Sequence, residues 1–259
     1  SWRIMQMPEV EAAFLSADPR TGSIKALVGG FDFGRNKFNH VTQAWRQPGS
    51  SFKPFIYSGA LEKGFTPASI VPDEPISFPA SVTGSQAWEP KNYDGKYEGP
   101  MRMRTALAKS KNMVSIRLLQ ASGVHFIQDY ATRFGFDADK HPPYLTMALG
   151  AGSVTPWQMV TAYSVFANGG MQMPPKLIKE VRSRSGAVLF SDAAPRAKGE
   201  PAPGTQVISA RNAYVMDSML RDVTIYGTAG RASAQLKRRD LAGKTGTTQD
   251  NTDGWFILM

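Results

Sequence analysis

Apolar residues alternate with polar residues near both ends of the chain and recur every three or four positions between the ends. Near the start, the partly alternating runs 10–17 and 23–28 flank the turn residues Asp18-Pro19-Arg20-Thr21-Gly22, which predicts a β-hairpin. A second hairpin is predicted over residues 176–191. The closing residues 240–259 predict a strand, a loop and another strand.

Helical spacing dominates the middle of the chain. The run 52–61 predicts a helix that stops near Gly64. Thr155 followed by Pro156 is typical of a helix start, because the hydroxyl caps and proline suits the first helical position. Further helices are predicted over residues 101–110, 113–123, 125–135 and 209–223, the last capped by Ser209.

The order of these elements predicts the fold class. Residues 65–100 are rich in Pro, Gly and Ser and predict an irregular connection, and residues 192–206 predict a linker-like loop. With strands near both ends, the pattern predicts an α/β fold, in which an antiparallel sheet closed by distant segments is flanked by helices. A mostly helical subdomain is expected as an insertion over about residues 65–170. The 259 residues are enough for one large domain.

Composition excludes several kinds of chemistry. The chain has no cysteine, which excludes disulfides, thiolate catalysis and cysteine-bound zinc. Its three histidines are spread out and none lies in a known hydrolase or metal motif, so we predict no metal, no cofactor and no Ser-His-Asp triad. The formal charge of +9 favours anionic partners, but the Lys and Arg residues are scattered. We therefore expect a solvated basic surface and no nucleic-acid partner.

The stretch RQPGSSFKPF, residues 46–55, holds the first candidate site. If a helix begins near Ser50, then Ser50 and Lys53 share one face, and the amine can reach the hydroxyl. A serine needs a base to take its proton, and a lysine can serve when burial or a nearby cation lowers its pKa. The alternative is a helix-capping Ser50 beside a solvated Lys53, because S-x-x-K occurs by chance in many proteins.

A second candidate, Ser110-Lys111-Asn112, lies between two predicted helices. Its hydroxyl can relay a proton and its amide can hold a substrate amide group. The alternative is again a helix cap, because Ser and Asn are common helix starters.

A third candidate, Lys244 to Thr248, follows Gly243, so that Gly243-Lys244-Thr245 matches the Gly-Lys-Thr of a phosphate-binding loop. That motif needs a glycine five residues before Gly243, where this chain has Arg238. The run also predicts a strand edge and not a loop that opens a helix. A strand with a cation, hydroxyls and an open backbone edge suits a carboxylate and an extended peptide.

Together the three clusters have the order of the S-x-x-K, Ser-x-Asn-type and K-T-G motifs of β-lactamases and penicillin-binding proteins. The stretches FNHVTQAWRQPGSSFKPFIYSGALEKG, LGAGSVTPWQMVTAYSVFANGG and AGKTGTTQDNTDGWF resemble the transpeptidase domain of class A, bifunctional penicillin-binding proteins. The resemblance covers nearly the whole chain. Within this family, the chain resembles the 1A group of penicillin-binding proteins from Gram-negative bacteria. It implies the fold of penicillin-binding transpeptidases, which is similar to that of serine β-lactamases.

The resemblance implies catalytic roles for individual residues. Ser50, and not Ser51, would be the nucleophile, with Lys53 as the general base. Ser110 would be the serine that shuttles the proton. The backbone N–H groups of Ser50 and Thr247 would form the oxyanion hole.

The resemblance also implies how substrate is held. Asn112 would bind the substrate through its amide. The strand group that binds the substrate carboxylate would be Lys244, Thr245, Gly246 and Thr247. The implied ligands are the stem peptides of peptidoglycan and the β-lactam antibiotics.

The implied activity is D,D-transpeptidation, in which Ser50 attacks the D-Ala–D-Ala bond and an amine from a neighbouring stem peptide resolves the acyl-enzyme. The implied parent protein is membrane-anchored, acts at the periplasmic face of the bacterial inner membrane, carries a glycosyltransferase domain and has cell-wall synthesis partners. In the family, the chain continues past GWF through another strand and a helix. We therefore expect residues 1–259 to be a transpeptidase domain truncated at its C-terminus.

Two other functions stay open at this point. With water as the acceptor, the same residues give a β-lactamase or a D,D-carboxypeptidase. A class A β-lactamase also needs a glutamate that holds the deacylating water, and no such glutamate can be identified in this sequence. A non-catalytic penicillin-binding sensor would be acylated without turnover.

Overall fold

The structure is a computed structural model that describes residues 6, 9–83, 86–192, 204–248 and 252–259. Its strands are β1 (Phe14–Ala17), β2 (Ile24–Val28), β3 (Ile70–Asp73), β4 (Gly99–Arg102), β5 (Met171–Gln172), β6 (Glu180–Arg182), β7 (Val188–Ser191), β8 (Thr205–Gln206), β9 (Gly243–Thr247) and β10 (Gly254–Leu258). Its α-helices are α1 (His40–Gln43), α2 (Lys53–Glu62), α3 (Ala80–Thr83), α4 (Met103–Ala108), α5 (Asn112–Ser122), α6 (Val124–Thr132), α7 (Pro156–Ala167), α8 (Ala210–Ile225) and α9 (Gly230–Leu236). Short 3₁₀ helices cover Gly49–Phe52, Ala138–Lys140 and Leu145–Leu149.

The strands pair antiparallel, as the alternation predicts. β1 pairs with β2, β6 with β7, and β9 with β10. The expectation of one sheet closed by distant segments is corrected: among the described residues the strands form separate two-stranded sheets. β1 and β10, from opposite ends of the chain, contact the same helix, α7. Alternation identifies a strand, but it does not determine which edges of distant strands form hydrogen bonds.

The connection over residues 65–100 is more ordered than its composition predicts. β3 and β4 pair antiparallel within it, and β4 extends to Arg102, so α4 begins at Met103 and not at the predicted position 101. Pro72 lies inside β3, and Gly99 begins β4. Because proline and glycine are unusual inside strands, the sequence pattern of this pair is weak.

The other predicted helices are confirmed, and so are their caps. Gly64 follows the end of α2 with a φ of +91°, which is a left-handed conformation. The Thr155 hydroxyl accepts the N–H of Gln158 at 3.2 Å in a capping box at the start of α7. The Ser209 hydroxyl caps α8. The predicted linker over residues 192–206 lies mostly outside the described residues.

The core is built around α2. Phe52, Phe55, Ile56 and Tyr57 have no exposed surface, and α2 packs against α5, α6 and α8. Because a helix buried on all sides cannot move without disrupting its neighbours, the start of α2 is a rigid platform. The boundaries of a helical subdomain over residues 65–170 stay a prediction. Within the described residues, no helix combines the length and apolar character of a membrane span.

Candidate active site

Two adjacent serines lie in the 3₁₀ turn that leads directly into α2. Ser51 is fully buried, and its hydroxyl donates to Pro48 O at 2.6 Å. Ser50 is half-buried, and in the described part of the chain its Oγ has no hydrogen-bond partner. Ser51 therefore fixes the turn, whereas Ser50 presents an available hydroxyl.

Glycines let β9 lie directly against this turn. Gly49 has a φ of +55°, and a Cβ there would lie 2.4 Å from Thr247 O. A Cβ at Gly246 would lie 2.5 Å from Pro48 O. Only glycine allows backbone to approach backbone so closely, so these two positions fix the distance between Ser50 and the strand.

Lys53, the first residue of α2, has no exposed surface. Its Nζ donates to Ser110 O and to Asn112 Oδ1, both at 2.7 Å, and lies 3.2 Å from Ser110 Oγ. Burial, followed by the nearby charge of Lys244, lowers the pKa of Lys53 well below its ordinary value, although Asp73 opposes the shift. The predicted hydrogen bond from Lys53 to Ser50 is not found among the described residues.

The turn between α4 and α5 holds Ser110 in an uncommon backbone conformation. Its φ is +58°, a left-handed value that few residues other than glycine adopt. The Ser110 Oγ lies 3.2 Å from Lys53 Nζ and 2.9 Å from Lys244 Nζ. Residues held in such conformations cluster at functional sites, and here the result is a hydroxyl between two amines.

Lys244 is the second fully buried lysine of the site. Its Nζ donates to Ser110 Oγ at 2.9 Å and to Thr245 O at 3.0 Å. Burial lowers the pKa of Lys244 to about 7. Near neutral pH, the lysine can therefore hold a proton for an anionic ligand or release it.

One edge of β9 faces away from its partner strand. Ala242 and Met259 exchange both backbone hydrogen bonds at the end of the ladder. Hydrogen-bonded and non-hydrogen-bonded pairs alternate in an antiparallel ladder, so the register puts Thr245 and Thr247 in non-hydrogen-bonded pairs. Their N–H groups therefore point away from β10. The Ser50 N–H also has no backbone acceptor among the described residues, so Ser50 and Thr247 each offer a free donor.

The hydroxyl groups of β9 differ in their surroundings. Thr247 is exposed, whereas Thr245 is half-buried, and its Oγ1 lies 2.6 Å from Thr228 Oγ1. The backbone N–H of Thr228 donates to Ala108 O at 3.1 Å, which holds this loop against the end of α4. Sequence analysis missed Thr228, because no local motif marks a residue that reaches the strand from the loop after α8.

An ion pair beside the turn joins distant parts of the chain. Arg46 donates to both carboxylate oxygens of Asp253, at 2.7 and 3.0 Å. The Trp255 indole N–H donates to Gln47 O at 2.9 Å. These contacts attach the β9–β10 hairpin to the segment that leads into Ser50.

Two of the three histidines, His40 and His141, and Trp88 make packing or backbone contacts, whereas His125 is exposed. His40 Nδ1 lies 2.8 Å from Gly29 O. His141 stacks on Phe52 at 4.7 Å between ring centroids, and burial lowers its pKa to about 4. Trp88 stacks on Phe78. In the part of the chain that the structure describes, no three His, Asp or Glu side chains converge as metal ligands do.

A family model described as "Penicillin binding protein transpeptidase domain" matches residues 12–257. The chain belongs to this family. It is 48% identical over 256 residues to penicillin-binding protein 1A of Neisseria meningitidis serogroup B, and this match covers 99% of the chain and 32% of the relative. It is 44% identical over 296 residues to penicillin-binding protein 1A of Pseudomonas aeruginosa, covering 98% of the chain and 36% of that protein. The chain thus spans about a third of the length of these curated relatives.

Solved structures of penicillin-binding proteins have the same fold. Penicillin-binding protein 1A from Haemophilus influenzae superposes with a TM-score of 0.91 at 36% identity, covering 99% of this chain and 42% of that one. The PonA1 protein from Mycobacterium tuberculosis in complex with penicillin V superposes with a TM-score of 0.78 at 26% identity, covering 97% of this chain and 68% of that one. The α/β transpeptidase fold expected from the sequence is confirmed.

The predicted site residues of this transpeptidase domain lie together, although they come from distant segments. The turn before α2, the turn before α5 and strand β9 meet around the Ser110 hydroxyl. The residues that sequence analysis missed are the supports of these three segments. They are Asp73, which accepts the Glu98 N–H, Asn92, which accepts the Asn112 N–H, Thr228 beside Thr245, and Asp253, the partner of Arg46.

Proposed function

We propose that this transpeptidase domain is a serine D,D-transpeptidase that cross-links peptidoglycan stem peptides through an acyl-enzyme on Ser50. β-Lactams inhibit it by acylating the same hydroxyl. The observation that carries the proposal is the buried Lys53, which has a lowered pKa and whose Nζ lies near the same Ser110 hydroxyl as Lys244 Nζ. A lysine in this state can act as a base, which a solvated lysine cannot do near neutral pH.

Lys53 takes the Ser50 proton as the Ser50 Oγ bonds to the carbonyl carbon of the penultimate D-Ala. A neutral amine has two N–H donors and one lone pair. Ser110 O and Asn112 Oδ1 accept from Nζ at 2.7 Å, so they occupy both donors. The lone pair is then free for a hydroxyl proton.

Negative charge develops on the carbonyl oxygen during this attack. The free N–H groups of Ser50 and Thr247 are suited to stabilise it, because Gly49 lets the strand and the turn approach. Each such donor contributes about 3 kcal/mol to transition-state stabilisation.

The tetrahedral intermediate then loses the terminal D-Ala. As the C–N bond breaks, the leaving nitrogen takes the Ser110 hydroxyl proton, and Ser110 takes a proton from the Lys53 ammonium. In net, these two transfers move the proton that left Ser50 to the amine of D-Ala. The 3.2 Å distance from Lys53 Nζ to Ser110 Oγ supports this route.

The acceptor amine of a neighbouring stem peptide completes the reaction in reverse order. It attacks the acyl carbon, its proton passes through Ser110 and Lys53, and the Ser50 oxygen leaves and takes a proton. The products are a new amide cross-link and the free Ser50 hydroxyl. Microscopic reversibility makes the same residues suitable for both halves.

Strand β9 supplies the recognition of the substrate carboxylate. A carboxylate near Lys244 stabilises the ammonium form, and the hydroxyls of Thr245 and Thr247 can donate to it. The edge of β9 that faces away from β10 can also pair with an extended peptide. Asn112 accepts from Lys53 through Oδ1 and donates one Nδ2 proton to Lys91 O, so its second Nδ2 proton can donate to the substrate.

The proposal extends to the protein that contains this domain. By analogy with the 1A relatives, that protein is anchored at the periplasmic face of the inner membrane, carries a glycosyltransferase domain and works with cell-wall synthesis partners. The 48% identity to a relative of which the chain covers 32% supports this proposal.

Labelling with a fluorescent penicillin tests the proposed function. Covalent label that persists for hours, together with cross-linked product from paired stem peptides, is the expected result. Loss of the label within minutes would instead indicate a β-lactamase or a carboxypeptidase. Stable label without any cross-linking would indicate a penicillin-binding sensor.

A further inference from the structure

The start of α5 lacks a cap from its own segment. Lys111 is the N-cap residue and makes no side-chain capping bond. Asn92 supplies the cap instead: its Oδ1 accepts the Asn112 N–H at 2.8 Å and the Met113 N–H at 3.3 Å. The first N–H groups of a helix have no acceptor within the helix, so this remote side chain satisfies two of them.

The remote cap leaves the polar side chains of the turn available for other contacts. Ser110 and Asn112 are residue types that commonly cap a helix themselves. Here Asn112 Oδ1 accepts from Lys53 Nζ, and Asn112 Nδ2 donates to Lys91 O, both at 2.7 Å. The Ser110 hydroxyl lies between the two lysines of the site.

Asn92 is itself held in place by buried partners. It is 4% exposed, and its Nδ2 donates to Asp73 Oδ1 and to Lys96 O, both at 2.7 Å. Asp73, at the end of β3, is fully buried and also accepts the Glu98 N–H at 3.0 Å. Lys111 Nζ lies 3.4 Å from the same carboxylate. A continuous path of hydrogen bonds therefore joins β3 to the turn between α4 and α5 that holds Ser110.

We propose that Asn92, oriented by Asp73, is a positioning residue that sets Ser110 and Asn112 against Lys53. This inference rests on the proposed function, because it assigns Asn92 a role in acylation of Ser50. Asn92 does not touch the reacting atoms. It acts through the backbone of Asn112, so its loss would displace the turn without removing a reacting group.

Asn92→Ala is the first test variant. It removes one partner of the Asp73 carboxylate, which keeps the Glu98 N–H and Lys111, and it leaves two N–H groups of α5 without their acceptor. A displacement of about 1 Å in a catalytic group can cost about 100-fold in rate, so we expect acylation by benzylpenicillin to slow by about 10- to 100-fold. Reversible affinity for the ligand should change by less than about threefold, because the β9 contacts remain.

An exchange of the two side chains separates positioning from general loss of structure. Asn92→Asp alone places two carboxylates together and should slow acylation strongly. The double variant Asp73→Asn with Asn92→Asp restores a donor facing an acceptor between these two side chains and keeps an oxygen for the Asn112 N–H. It does not restore the donor to Lys96 O, so the recovery should be partial. Because directly bonded partners couple, we expect this exchange to recover about tenfold or more of the rate lost in Asn92→Asp.

Asn212→Ala is the matched control. Asn212 is 5% exposed, and its Nδ2 donates to Ser58 O at 3.0 Å and to Glu62 Oε1 at 2.6 Å. Its loss should lower the unfolding temperature and leave the acylation rate constant unchanged, since it does not contact the turn.

All variants are compared in the natural protein that contains this chain, by acylation rate constant, reversible affinity and thermal unfolding. Slow acylation in Asn92→Ala, normal acylation in Asn212→Ala and recovery in the exchange variant support the proposal. A wild-type rate in Asn92→Ala, or equal rate losses in Asn92→Ala and Asn212→Ala, would overturn it. A wild-type protein that is not acylated on Ser50 would overturn the proposed function instead.

Discussion

Lys53 and Lys244 meet at one hydroxyl, since their Nζ atoms lie 3.2 and 2.9 Å from Ser110 Oγ. Both side chains are fully buried, and after burial the charge of Lys244 is the next cause of the lowered pKa of Lys53. Two ammonium groups this close destabilise each other. Lys244 therefore has two roles in this account, because it binds the carboxylate and keeps the base deprotonated.

Removal of the Lys244 charge should move the pH dependence of acylation. The rate requires neutral Lys53, so it falls as the pH drops through the pKa of Lys53. In Lys244→Met that pKa rises, and the acid limb of the rate profile should move to higher pH. The measurement uses a β-lactam whose carboxylate is esterified, so that loss of carboxylate binding does not obscure the shift.

Lys63→Met is the control for this experiment, because Lys63 is an exposed lysine at the end of α2. Its profile should match that of the wild type. An acid limb that stays in place in Lys244→Met would show that Lys244 does not set the protonation of Lys53.

Replacement of the base tests whether Lys53 acts through its lone pair or only through its charge. Lys53→Arg keeps a cation, but a guanidinium stays protonated and cannot accept the Ser50 proton. We expect acylation to slow by about 10²-fold or more in both Lys53→Ala and Lys53→Arg, with a smaller effect on reversible binding. Normal acylation of Lys53→Arg would make Lys53 an electrostatic support and require another base.

The Thr245 and Thr247 hydroxyls should favour acylation by a penicillin with a free carboxylate over acylation by its ester. Thr245→Val with Thr247→Val keeps the side-chain shape and removes both donors. Hydrogen bonds to a charged group contribute about 1.5 kcal/mol each or somewhat less, so acylation by a penicillin should fall several-fold to about a hundredfold. The esterified ligand should lose much less. The ratio of the acid and ester rates is compared in wild type and variant, and an unchanged ratio would place carboxylate recognition elsewhere.

The sequence was sufficient to predict which residues meet at the candidate site. Ser50 and Lys53, the Ser110–Asn112 turn and Lys244 lie in short motifs, and short motifs are visible without knowledge of tertiary contacts. The hairpins and most helices were also predicted, because their hydrophobic periodicity and caps are local.

The supports of the site could not be predicted, because each depends on contacts between distant residues. Asn92 caps α5 from an irregular segment 20 residues earlier, and its neighbours suggest only a turn. Arg46 and Asp253 are 207 residues apart and carry no motif. The left-handed backbone of Ser110 follows from the packing around the turn, since nothing in residue type alone favours it.

The ion pair beside the turn should matter for acylation more than for stability. Arg46 is half-exposed, and such pairs contribute about 0 to 1 kcal/mol to the free energy of unfolding. Arg46→Ala also removes one of the contacts that attach the hairpin that presents the Thr247 N–H, while the Trp255 contact remains. Acylation should therefore fall by several-fold up to about tenfold.

Arg238→Ala is the matched control, because Arg238 makes a similar two-bond pair with the exposed Asp240, at 2.9 and 2.7 Å, outside the site. Thermal unfolding and acylation are measured for both variants. Equal acylation rates in Arg46→Ala and Arg238→Ala would mean that the ion pair does not orient the oxyanion donors.

The most direct test of the account is the position of the penicillin adduct, read by mass spectrometry of peptides from the labelled protein. Ser51 is buried and donates to Pro48 O, whereas the Ser50 hydroxyl has no hydrogen-bond partner among the residues that the structure describes. We predict one adduct, on Ser50, with labelling abolished in Ser50→Ala and retained in Ser51→Ala. An adduct on Ser51 or Ser110, or undiminished labelling of Ser50→Ala, would contradict the assignment of Ser50 as the nucleophile.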